Sequence, residues 1–171
     1  AFRAGLGAFF SAITEPDAGT NTHNIATRAS ETSDGWKLNG TKYWTSDADQ
    51  ADSILVVARD PDASAAGKPR PLSLFLVPTD TPGLHMDPIP AALSATERQF
   101  TLFFDDVHID RAELVGKRGE GLRQVFAGLN SERVSPPAIN NGISRFALDR
   151  ASTYACERTV WSSPIGTVRA V

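Results

Sequence analysis

Apolar and polar residues alternate along much of the first two-thirds of the chain, with the period of strands. Trp36 and Leu38 alternate with polar neighbours, QFTLFF (99–104) repeats the pattern, and Val107 and Ile109 follow it. Alternate positions of a strand share one face, so such segments bury one side. SILVVA (53–58) and LSLFLV (72–77) are apolar or β-branched runs of strand length. Turn chemistry punctuates these runs at Asp34-Gly35, Asn39-Gly40 and Pro82-Gly83, with Asn39-Gly40 reading as a hairpin turn. RDPDASAAGKPRP (59–71) reads as a polar loop. Strands joined by turns, with no helical period between them, predict an antiparallel barrel or sandwich.

The period changes at Gly116. Leu122, Val125, Phe126 and Leu129 recur at i, i+3, i+4, i+7, one face of an amphipathic helix within 117–131. Ile139, Ile143, Phe146, Ala147, Ala151 and Tyr154 form a second such face. Ser135-Pro136-Pro137 divides the two sets. Proline is tolerated in a first helical turn and disrupts an interior, so Ser135 is expected to cap a helix over 136–157. The polar face of that helix carries Asn140, Asn141, Arg145, Asp149 and Arg150. Its apolar face calls for helical partners, from this protein or a second subunit, and self-association through the helices is expected. The fold class is therefore α+β: a β barrel or sandwich followed by long helices of an incomplete bundle.

Composition narrows the function. The 171 residues are 41% hydrophobic and 22% charged, with a formal net charge of -3 and no basic stripe, so no nucleic-acid partner is expected. No apolar run approaches the roughly 20 residues of a bilayer span. Cys156 is the single cysteine, which precludes an internal disulfide and fits a reducing, cytoplasmic setting. A buried, inert thiol is its default reading. His23, His85 and His108 are scattered, without metal-ligand spacing. GKRGEG (116–121) lacks the P-loop pattern and reads as a turn into a helix. The apolar opening AFRAGLGAFF is too short for a secretory signal and reads as the end of something buried.

Four segments, in order, carry a resemblance. Thr14-Glu15-Pro16-Asp17-Ala18-Gly19-Thr20-Asn21 resembles the T-E-P-x-A-G-S-D signature of acyl-CoA dehydrogenases. LNGTKYWTS (38–46) is similar to the family's N-G-x-K-x-W-I-T segment. FFDDVHID (103–110) with LVGKRGEGL (114–122) resembles the stretch that closes its β domain. Asn130-Ser131-Glu132-Arg133, followed by ALDRASTYACERTVW (147–161), resembles the helical segment leading to its E-R-x-x-F-G motif. The resemblance implies the end of a helical domain at 1–8, the middle β domain at 9–114 and the start of a helical domain at 115–171. It also implies further helices before and after, so the chain alone is expected to hold little FAD and to be inactive.

The implied chemistry is FAD-dependent α,β-dehydrogenation of an acyl-CoA thioester, with electrons passed to an electron-transfer flavoprotein. The same fold also serves acyl-CoA oxidases and flavin monooxygenases, and a non-catalytic module is a third reading. By resemblance, Ser11, Ile13 and Thr14 lie against the flavin, Trp44 packs beside it with Thr45, and Ser46 supplies a hydroxyl. On residues alone, Thr14 is a strand end and Trp44 a core side chain. Gly19 and Thr20 are implied contacts for flavin, and Thr20 also for the CoA arm; the bare reading is a turn. Arg158 and Trp161 match residues that reach the FAD of a neighbouring subunit, which implies a homo-oligomer; arginine pairs with pyrophosphate and an aromatic stacks on adenine. Ser162 stands where the family has glycine. Asn130 and Arg133 fall at CoA contacts. The reaction needs a carboxylate base for the α proton, and a subset of the family resembles this chain in placing it at Glu132. The alternative for Glu132 is a cap or ion pair at the helix junction, with the base located elsewhere.

Overall fold

The computed structural model describes residues 9–63, 71–92, 97–130 and 133–168. The chain divides into two compact units, the second beginning at Phe126. The first is built on one sheet. Its strands are β1 (Phe9–Ala12), β2 (Arg28–Glu31), β3 (Gly35–Ser46), β4 (Ser53–Arg59), β5 (Leu72–Pro78), β6 (Leu84–Ile89), β7 (Gln99–Asp110) and β8 (Leu114–Val115). The path runs β6-β7-β3-β2-β4-β5-β8, with β1 paired to β4.

Two expectations are corrected here. The path is open among the described residues, with β6 and β8 at its ends, so a closed barrel is not formed. The sheet is also mixed: β1 runs parallel to β4, as does β2 at the single pair Arg28↔Arg59, while the remaining pairs are antiparallel. β1 reaches β4 from outside the sequential hairpins, and local alternation carries no information about such a partner. The α+β class stands.

The apolar runs behave as their patterns require. Phe100, Leu102 and Phe104 are buried from β7, and Ile54, Val56, Phe75 and Val77 from the neighbouring β4 and β5. Trp36 packs edge-on against Phe75 with ring centroids 5.1 Å apart. Such pairs add about 0.5–1.5 kcal/mol beyond their area. The Asp34-Gly35 turn joins β2 to β3, closed by the Thr32 N–H bonding the Gly35 carbonyl at 3.0 Å. The turn at Pro82-Gly83 leads from β5 to β6.

Asn39-Gly40 is not a hairpin turn, because β3 runs straight through it for 12 residues. The register steps there from Leu38↔Val107 to Gly40↔Phe104, so Asp105 and Asp106 together face Asn39. That is a β-bulge, with Asp106 left-handed at φ 50°. The Asn39 side chain donates to Asp106 Oδ1 at 2.9 Å and accepts the Asp106 N–H at 3.0 Å. Gly40, at φ 147°, lets β3 press on Thr27, whose Cα would lie 2.6 Å from a Cβ at position 40. A bulge and a turn use the same residues, which is why the pair misleads. The bulge also explains why the buried phase of β7 moves from Phe104 to Val107.

The helices are α1 (Gly121–Leu129) and α2 (Ser135–Glu157). α1 turns Val125 inward. Ser135 is not the cap of α2: Val134 takes the capping position and Pro136 falls in the first turn. Ile139, Ile143, Phe146 and Tyr154 of α2 are exposed. Cys156 is exposed as well, against the expectation of burial. After α2, β9 (Thr159–Val160) and β10 (Ser163–Pro164) pair across Trp161 and Ser162. Among the described residues no helix is long and apolar enough to cross a membrane, and no cluster of metal-binding side chains occurs.

Candidate functional site

The residues singled out in the sequence divide between the two units. Ser11, Ile13, Thr14, Gly19, Thr20, Trp44, Thr45 and Ser46 belong to the first; Asn130, Arg133, Arg158 and Trp161 belong to the second. Glu132 lies outside the described residues.

In the first unit the chain brings two stretches far apart in sequence together. β1 ends at Ala12, and the loop after it lies along β3. The Tyr43 N–H donates to the Thr14 carbonyl at 2.9 Å, and Lys42 Nζ donates to the Ile13 carbonyl at 2.9 Å. Between Lys42 and Thr45 the register against β7 slips, from Lys42↔Leu102 to Thr45↔Phe100. Tyr43 and Trp44 thus face one residue, in a second bulge with Trp44 left-handed at φ 58°. Bulges re-aim side chains. The Trp44 indole is 51% exposed and meets Tyr43 edge-on at 5.0 Å, so it is not a core side chain. The Thr14 hydroxyl makes no hydrogen bond among the described residues. Ser46 Oγ accepts from Gln99 Nε2 at 3.0 Å. Thr45 is buried, and its hydroxyl lacks a partner among the described residues. Ser11 faces outward on β1, beside Leu55 in the pairing.

Residues 15–18 close a tight turn, Glu15 N–H to the Ala18 carbonyl at 3.1 Å and the reverse at 3.2 Å. It leaves Gly19 and Thr20 exposed, with no atom within 4 Å of where a Gly19 side chain would begin. That open backbone suits a ligand's approach.

Beneath this face lie two residues that the sequence reading passed over. Glu15 and Lys42 form an ion pair at 2.9 Å, with Lys42 wholly buried and Glu15 6% exposed. Glu15 also accepts the N–H groups of Ala26 at 2.6 Å and Thr27 at 2.9 Å. Burial opposes ionisation of Glu15, but Lys42 and the two amides outweigh it and hold the carboxyl below its usual range. Burial pushes the Lys42 ammonium down to about 8, with Glu15 opposing. Both residues stand inside segments already singled out; their pairing across 27 positions had no local signal.

In the second unit Arg133 donates its N–H to the Leu129 carbonyl at 3.0 Å, and Asn130 is exposed. Arg158 ends α2, its N–H on the Tyr154 carbonyl at 2.8 Å and its carbonyl accepting from Ile165 at 2.9 Å. Trp161 is 87% exposed at the tip of the β9–β10 hairpin. Trp161 and Ser162 are both left-handed, at φ 49° and 73°, a conformation that favours glycine.

An exposed indole, hydroxyls on adjoining residues and an open glycine loop make a surface suited to a planar, polar-edged ligand. Comparison with known proteins identifies the family. The profile of the acyl-CoA dehydrogenase middle domain matches residues 11–107. Acyl-CoA dehydrogenase FadE12 of Mycobacterium tuberculosis is 48% identical over 155 residues, 91% of this chain and 39% of the relative. A solved glutaryl-coenzyme A dehydrogenase in complex with glutaryl-CoA is 34% identical with a TM-score of 0.76, over 93% of this chain and 40% of that one. A glutaryl-CoA dehydrogenase from Mycobacterium smegmatis in complex with FADH2 is 29% identical with a TM-score of 0.78, over 95% and 40%. The chain thus spans about two-fifths of the length of these relatives. The profile match and the FadE12 identity together show that the chain belongs to the acyl-CoA dehydrogenase family.

Proposed function

We propose that this chain supplies the middle-domain part of the flavin site of an FAD-dependent acyl-CoA dehydrogenase, and the first helices of the domain that follows it. The observation that carries the reading is the joining of the Ile13–Thr14 loop to the Trp44 bulge. Residues assigned to one cofactor from separate motifs meet there, with an indole 51% exposed beside them. The donor set fits the group: a half-exposed aromatic for the ring, the unengaged Thr14 hydroxyl and the Ser46 hydroxyl for its polar edge. FAD, when bound, would supply a two-electron acceptor for the hydride leaving the β carbon of an acyl-CoA thioester.

The chain's own residues would bind and orient. Trp44 would cover one side of the ring and shield it from water. Gly19 and Thr20 would let the cofactor and the CoA arm approach backbone. Asn130 and Arg133 would hold the CoA portion. Arg158 and Trp161 would serve the dinucleotide end of an FAD in a neighbouring subunit of a homo-oligomer. Glu132 would take the α proton. An electron-transfer flavoprotein would reoxidise the enzyme.

FAD titration of the enzyme that carries this chain, read by flavin fluorescence, tests the cofactor. Trp44→Ala should weaken binding about tenfold or more, since aromatic contacts are typically worth 0.5–1.5 kcal/mol beyond their buried area. Unchanged affinity would remove Trp44 from the site. Slow reoxidation of the reduced flavin in air is expected of a dehydrogenase, and rapid reoxidation would point to an oxidase or monooxygenase.

A further inference from the structure

The Glu15–Lys42 pair is an unlikely choice for stability. Two charges taken from water lose about as much by desolvation as they gain by attraction, and apolar residues of the same size often do as well or better. What the pair does provide is a fixed geometry. Lys42 Nζ holds Glu15 Oε1 and the Ile13 carbonyl, each at 2.9 Å. The Glu15 carboxylate holds the Ala26 and Thr27 amides. Three stretches therefore converge on one buried point: the loop after β1, the segment entering β2, and β3. Lys42 is also the last residue in register before the bulge, and the next residue, Tyr43, binds the Thr14 carbonyl. Successive carbonyls of the loop, at 13 and 14, are thus tied to successive residues of β3, at 42 and 43.

We infer that Glu15 and Lys42 are positioning residues: their pair sets Thr14 and Trp44 in the mutual register that the flavin-facing surface requires. The inference rests on the flavin reading for its purpose, and on the hydrogen bonds alone for the clamp itself. Both side chains are buried, so neither is open to the surface where a ligand would sit. Their effect passes through backbone they hold.

The test is the double variant Glu15→Gln/Lys42→Met in the enzyme that carries this chain. It removes both charges at nearly constant volume and avoids the unpaired buried charge that either single variant would leave. Two readouts are taken: hydrogen exchange at the Tyr43 amide, without flavin, and FAD affinity by fluorescence titration. The expected result is Tyr43 exchange at least tenfold faster, with β4 and β5 amides protected as before, and a Kd for FAD raised at least tenfold. Both quantities within twofold of the unsubstituted enzyme would overturn the proposal. So would a uniform loss of protection across β3, β4 and β5, which would assign the pair to global stability. Absence of FAD binding by the unsubstituted enzyme would end the flavin reading, while Tyr43 exchange would still decide for or against the clamp.

Discussion

Replacing Arg118 by methionine should be among the most damaging single changes outside the apolar core. Asp60 is fully buried, and Arg118 grips it with both arms of its fork, Nε to Oδ2 at 2.7 Å and Nη2 to Oδ1 at 2.9 Å. Its third nitrogen reaches Glu31 at 2.7 Å, and its plane lies 4.6 Å over the Trp36 ring. Asp60, the first of these partners, and Glu31 hold the guanidinium protonated against its partial burial. Without Arg118, the Asp60 carboxylate keeps, among the described residues, the Ser73 hydroxyl at 3.1 Å as its side-chain partner. Breaking a buried pair costs about 3–5 kcal/mol. The Arg118 side chain is 30% exposed, so water softens the loss and the lower end applies. The lost stacking on Trp36 adds about 0.5–1 kcal/mol. The expected total is about 3.5–4 kcal/mol, a fall in Tm of about 7–16 °C for a chain of this size. Urea unfolding followed by circular dichroism measures it. Arg123→Met, which breaks an exposed pair with Glu120, is the control and should leave the midpoint in place. Adding Asp60→Asn to Arg118→Met should recover more than half of the loss, because the stranded charge is gone. A loss below about 1 kcal/mol, or a further loss on adding Asp60→Asn, would refute the reasoning.

Other expectations follow from the same structure. Ser162→Gly should stabilise the β9–β10 hairpin by about 1 kcal/mol, because the left-handed φ of 73° strains serine and not glycine, read as slower exchange across 158–165. Acid should destabilise the fold through carboxyls held below their usual range: Glu120 by Lys117 and Arg123, Asp106 by Asn39 and Lys37, Glu31 by Arg111 and Arg118, and Glu15 by Lys42 and two amides against its burial. Such groups bind protons more weakly folded than unfolded, so their stabilisation is complete above their ordinary values and fades as pH falls below them, for Glu120 toward about 2. A Tm that stayed flat over that interval would contradict it, and Glu120→Gln should shallow the slope. Glu132→Gln should slow flavin reduction by acyl-CoA about 100-fold or more while acyl-CoA still binds, if single-turnover kinetics find the base at that position; an unchanged rate moves the base elsewhere.

Much of this was legible because local pattern and tertiary demand agreed. SILVVA and LSLFLV became neighbouring antiparallel strands, and Asp34-Gly35 became the β2–β3 turn. The failures lie where one local chemistry serves two structures. Asn39-Gly40 tolerates left-handed or extended-glycine backbone in a bulge as readily as in a hairpin, and only the partner strand decides. β1 pairs with β4, some 40 positions away, so nothing near it announced a parallel neighbour. In the site, resemblance pointed to Thr14, Trp44 and Ser46. It passed over Glu15 and Lys42, because a buried ion pair is defined by enclosure, which no linear pattern records. The open surfaces of Gly19 and Trp161 were expected from the resemblance and not from local pattern, since glycine and tryptophan fit a turn and a core as well as a binding face.

The most direct measurement is anaerobic titration of the enzyme that carries this chain with acyl-CoA thioesters of graded length, followed by flavin absorbance. The account predicts bound FAD whose absorbance bleaches with at least one thioester, with the matching α,β-unsaturated thioester formed in equal amount. Bound flavin that no acyl-CoA bleaches, or a protein that binds no flavin, would contradict it.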